Sequence, residues 1–88
     1  MMTKTWSVEI FIGERDGSTH AEARLRTNDR TEFTASGTAR LNPTDTDVPE
    51  IGDELAAARA LSALGHQLVD AAATDIEAVT HERASFKS

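Results

Sequence analysis

From Thr5 to Gly13 the apolar residues Trp6, Val8, Ile10 and Ile12 alternate with Thr5, Ser7, Glu9 and Phe11, the period of two expected of a strand with one buried face. Phe11 departs from that alternation. It belongs to the opposite, solvent-facing side, where either something covers it or it stands as an exposed aromatic. The segment Glu14 to Ser18 contains the Asp16-Gly17 pair that gives a hairpin its positive-φ position. Beyond it, Ala21, Ala23 and Leu25 alternate with His20, Glu22, Arg24 and Arg26. After a polar break at Asn28-Asp29-Arg30, the residues Phe33, Ala35, Gly37, Ala39 and Leu41 share one face, and Glu32, Thr34, Ser36, Thr38 and Arg40 the other. The pattern predicts a three-stranded antiparallel meander. The centre of its inner face holds only alanine and glycine, which lets a helix approach closely.

Pro43 and Pro49 exclude a strand between Asn42 and Pro49. Asp47 and Glu50 have the spacing of a capping box, Pro49 suits a first turn, and Glu50, Asp53 and Glu54 put negative charge at the positive end of a helix dipole. A helix is therefore expected from about residue 49 to 73. Its buried stripe is read as Ile51, Leu55, Ala58, Leu61, Leu68 and Ala72, broadened by Leu64 and Val69. Gly65 falls on that stripe and is expected to meet another backbone closely, offsetting a cost of about 0.5–1 kcal/mol against alanine. From Thr74 to His81 the pattern suits either another helical turn or a short strand, with the strand favoured. Residues 82–88 read as a frayed tail.

These parts predict one α+β domain over residues 1–88: three antiparallel strands, one long amphipathic helix and a short C-terminal element. Such a helix is roughly 35 Å long at ~1.5 Å per residue, against about 25 Å for its strands. It overhangs the sheet and is too narrow to cover three strands, so the inner face near Trp6 or Leu41 is left open. A homodimer is expected to close it, for which a C-terminal strand added to the neighbouring sheet edge is one route.

Composition narrows the functional classes. There is no cysteine, so disulfides, zinc thiolates and thiol nucleophiles are excluded. The opening residues resemble no signal peptide, and no apolar run approaches the ~20 residues of a membrane helix. The expectation is a soluble cytoplasmic protein. Residues 1–41 hold six basic and six acidic groups, whereas residues 42–88 hold three and nine, so the second half carries the whole net charge of -6. That balance argues against a generic nucleic-acid binder. His20, His66 and His81 lack ligand spacing, and Asp45, Asp47, Glu50, Asp53 and Glu54 form no calcium loop. No nucleophile elbow or phosphate-cradling loop is present. The chain is accordingly read as a non-enzyme without metal, cofactor or small-molecule substrate.

One surface invites a sharper hypothesis. Arg24, Arg26 and Arg40 point outward by alternation, on the same side as Phe11, and such a face could contact phosphates and stack a base. The plainer reading is that Glu9, Glu22 and Glu32 pair with those arginines across the sheet.

Ala39-Arg40-Leu41-Asn42-Pro43, then Val48-Pro49-Glu50-Ile51-Gly52-Asp53-Glu54-Leu55, Ala58-Arg59-Ala60-Leu61-Ser62 and Asp75-Ile76-Glu77-Ala78-Val79-Thr80-His81 closely resemble a family of small actinobacterial proteins, common in mycobacteria, known as a domain of unknown function. The resemblance spans nearly the whole chain. It implies a fold similar to the double-stranded-RNA-binding domain without its first helix, an association of some members with dormancy and hypoxia, and a topology similar to ribosome hibernation-promoting factors. It implies no catalytic residues. The partner it suggests is the ribosome or RNA.

Overall fold

The computed structural model describes residues 2–28, 30–40 and 48–80. Strands β1 (Trp6–Arg15), β2 (Ser18–Thr27) and β3 (Arg30–Arg40) form an antiparallel sheet in the order β1-β2-β3, followed by one helix, α1 (Pro49–Thr80). The meander forms as its alternation predicts. Each strand runs a little further than its apolar residues because the turns are tight. Asp16 and Gly17 take φ of 51° and 76°, the positive pair that matches the twist of a two-residue hairpin, and Asn28 takes 56° at the second turn. In register, Val8, Ile10 and Ile12 stand opposite Leu25, Ala23 and Ala21, which in turn face Phe33, Ala35 and Gly37. A register shift at Leu25/Arg26 marks a bulge near the second turn.

The core is thin and made of small side chains: Ala21, Ala23, Leu25, Ala35 and Ala39 from the sheet against Ala56, Ala60 and Leu64 from α1. Gly37 sets the spacing. A Cβ there would run into the backbone of Ala56 and Ala60 and lie 2.7 Å from the Arg59 Cβ, so the helix rides on the sheet with no side chain between them.

Three expectations about α1 are corrected. It does not end near residue 73 and give way to a strand; it continues through Thr80. Ala71-Ala72-Ala73 carry it forward, no glycine or proline follows Gly65 within it, and the β-branched Thr74 and Thr80 are accommodated by donating to the Asp70 and Ile76 carbonyls at 3.0 and 2.9 Å. The buried stripe is not the one read from Ile51, Leu55, Ala58, Leu61 and Ala72, all of which are exposed; it is Ala56, Ala60 and Leu64, with Leu68 half-buried. The alanine-and-glycine floor accepts alanine methyls and excludes bulky branched chains. Gly65 makes no close contact with another backbone among the described residues: none of their atoms outside its own stretch of helix lies within 4 Å of where its Cβ would be. Asp47, Leu41 and residues 81–88 lie outside the described residues; at the helix start, Ile51 N–H donates to the Val48 carbonyl at 3.0 Å. The helix of 32 residues reaches about 48 Å at 1.5 Å per residue, well past strands of about 34 Å.

Candidate interaction surfaces

The outer face of the sheet carries the four residues singled out from the sequence. Phe11 is exposed, and the Arg24 guanidinium sits 4.3 Å above its ring, a cation–π contact that explains the aromatic out of pattern. Arg24 also meets Glu22 at 2.7 Å, and Arg26 stands 3.8 Å from Glu9. Arg40 is apart from these. It is paired in register with Ser18, whose hydroxyl accepts from its Nε at 3.4 Å, and Ser18 lies six positions along β2 from Arg24, about 20 Å away. The fold thus gathers Phe11, Arg24 and Arg26 together, interleaved with Glu9 and Glu22, and leaves Arg40 at the far end. The side chain of Glu32 lies outside the described set. No group of three or more potential metal ligands occurs among the described residues.

The inner face is open near Trp6, as the widths of sheet and helix predict, and the two edges are the surfaces that alternation alone did not reveal. Helix α1 lies over β3 and β2 and only grazes β1. Ala23 is 0% exposed on β2, whereas its β1 neighbour Ile10 is 37% exposed, Ile12 46% and Trp6 56%. The two edges differ as well. Arg15 and Ser18 flank a two-residue turn, so they exchange both backbone bonds; by alternation the odd residues of β1 pair with β2, and Trp6, Val8, Ile10, Ile12 and Glu14 turn N–H and C=O to the open side. On β3 the same alternation turns Thr34 and Thr38 to the open side. There Gln67 Nε2 donates to the Thr34 carbonyl at 2.8 Å and an Arg59 guanidinium nitrogen to the Thr38 carbonyl at 2.7 Å. The helix side chains therefore cap the β3 edge and leave the β1 edge open. The available signal was the eight-residue spacing of Arg59 and Gln67, which puts two long donors on one side of a helix.

The family comparison covers this whole frame, since residues 4–85 match the pattern of the Rv2632c-like family. The chain belongs to the Rv2632c-like family. An uncharacterized Mycobacterium tuberculosis protein, MT1780, is 54% identical over 79 residues, covering 90% of this chain and 83% of its own. Rv2632c of M. tuberculosis, also uncharacterized, is 48% identical over 79 residues, covering 90% and 84%. A crystal structure of Rv2632c superposes with a TM-score of 0.83 at 46% identity, covering 93% of this chain and 96% of that one. The resemblance to an actinobacterial domain of unknown function is thereby established, and the Rv2632c-like frame is the three-stranded sheet with its one long helix. No helix among the described residues is long and apolar enough to cross a membrane.

Proposed function

We propose that this Rv2632c-like chain is a non-catalytic, cytoplasmic protein-interaction module that works as a homodimer, two copies joining through β1. The observation that carries this is the contrast between the edges. An edge strand of ten residues with an apolar face is normally blunted by proline, an inward charge or a covering element, and of these β1 has, among the described residues, only Glu14 near its end. A two-fold axis perpendicular to the sheet maps inner face onto inner face, so residues of the same parity pair. Centred on Ile10, this sets Val8 opposite the partner copy's Ile12 and, with the strand prolonged to Lys4, Lys4 opposite Asp16. Moving the axis to Glu9 puts two carboxylates face to face; moving it to Phe11 sets Val8 against Glu14 and parts Lys4 from Asp16. The seam would run about 34 Å, and a specific interface needs about 1,000 Å² buried in total.

Light scattering at micromolar concentration tests the dimer: twice 9.5 kDa is expected, and a monomer removes the reading. The register has its own test, because the chain lacks cysteine. Ile10→Cys would face its symmetry mate with Cα atoms about 5.5 Å apart and cross-link on oxidation, whereas cross-linking at Phe11→Cys instead would shift the axis.

A second reading is a ribosome- or RNA-associated stress or dormancy protein that uses Phe11, Arg24, Arg26 and Arg40. It is supported by the grouping of Phe11, Arg24 and Arg26 on one exposed face. Glu9 and Glu22 on the same face weigh on the other side. Ribosome co-sedimentation at two salt concentrations separates the two readings: pelleting abolished by replacing the three arginines supports the second, and no pelleting at low salt removes it.

A further inference from the structure

The outward side of α1 carries a second apolar surface, independent of β1. Ala58 is two residues from both Ala56 and Ala60, about 200° around the helix from each, so it points directly away from the sheet. Along that side the spacing alternates four and three from Ile51 through Leu55, Ala58, Ser62 and Gly65, and continues in the same rhythm through Val69, Ala72, Ile76 and Val79. A mean period of 3.5 sustained over the helix is the signature of a seam between two helices rather than of packing on a sheet. The large members sit at the ends, with Ile51 55%, Leu55 45%, Ile76 40% and Val79 80% exposed. Smaller ones sit between them, and Gly65, which meets no other element among the described residues, lies at the midpoint of Pro49–Thr80.

We infer that this seam receives an amphipathic helix of a partner protein, one whose apolar stripe is flanked by lysine or arginine. A helix crossing at Gly65 can approach closely there, and the bulky side chains at either end then grip it. Charge decides between occupants. The residues of α1 include six acids and one arginine, and that arginine, Arg59, is turned to the Thr38 carbonyl. Glu54 and Asp75 each directly precede a seam position and so border it. A second copy of α1 lying antiparallel across Gly65 would bring Glu54 near the other copy's Asp75, like charge against like, while a basic-flanked helix meets complementary charge. Dimerisation through β1 leaves the seam clear, because it faces away from the sheet.

The test uses the full chain and two synthetic helical peptides of about four heptads, both with leucine at the seam positions, one flanked by lysine and the other by glutamate. The lysine peptide is expected to bind at least about tenfold more tightly than the glutamate peptide. Gly65→Leu fills the notch in open space without altering charge. It is expected to keep the circular dichroism spectrum and to weaken the lysine peptide by about tenfold or more. Ile10→Lys, on the far strand, is expected to leave that affinity unchanged, so failure of the β1 dimer and failure of this site read separately. Equal binding of both peptides overturns the inference, as does binding indifferent to Gly65→Leu, which would mark general adsorption to an acidic protein. A solution dimer lost in Gly65→Leu and kept in Ile10→Lys also overturns it, by assigning the seam to a second copy.

Discussion

The two edges of one small sheet meet opposite treatment. On the β3 side, α1 lies over the strand, presses Ala56 and Ala60 onto Gly37, and extends Arg59 and Gln67 past the edge to its carbonyls. On the β1 side the helix contributes almost nothing, and Trp6, Val8, Ile10 and Ile12 stay in solvent. The difference teaches that covering an edge here depends on where an alanine-faced helix can sit. Only the β2–β3 floor of alanine and glycine admits it closely; the large side chains of β1 would hold it away.

The comparison can be broken most severely at the contact itself. Gly37→Ala forces a methyl against helix backbone and is expected to cost about 2–3 kcal/mol in urea unfolding. Leu64→Ala removes the largest buried side chain that α1 supplies and is expected to cost a comparable 2–3 kcal/mol, near the low end for leucine because the site is shallow. Arg59→Ala, which uncaps β3, is expected to cost about 1 kcal/mol; combined with Gln67→Ala it gives the sheet two open edges, and species larger than a dimer are expected in sedimentation velocity. Ile10→Lys, at a site only 37% exposed, is expected to cost about 1 kcal/mol of monomer stability while abolishing the proposed dimer. Arg24→Ala sharpens the outer face. Loss of the Phe11 and Glu22 contacts is expected to cost about 0.5 kcal/mol, read as a small shift in the thermal midpoint.

Much of this frame was legible in the chain. Strict alternation, with Asp16-Gly17 and Asn28 at the turns, specified three strands and their faces, and Pro49 with the following acids specified where the helix begins. The incomplete cover near Trp6 followed from widths alone. The helix face was misread for a physical reason: α1 is apolar on two opposite sides, and the branched residues Ile51, Leu55 and Leu61 outweigh Ala56 and Ala60 on any scale of hydrophobicity, although only the alanines fit against Gly37. The C-terminal turns were misread because Ile76, Val79 and Thr80 favour strands intrinsically, a preference that an established helix with threonine hydroxyls bonded to its own carbonyls overrides. Arg59 and Gln67 carried no signal beyond their eight-residue spacing, since their role exists only once β3 lies beside them. Of the outer-face residues, alternation brought Phe11, Arg24 and Arg26 to one surface correctly, and only register separates Arg40 from them.

Among the described residues a buried set of six alanines and two leucines gives this fold little cohesion of its own, because a methyl contributes far less on desolvation than a branched or aromatic side chain. The molecule would gain cohesion from the proposed pairing of two copies through β1. Its melting temperature should therefore climb with its own concentration, and an isolated copy at high dilution should be the form most readily cut by proteases.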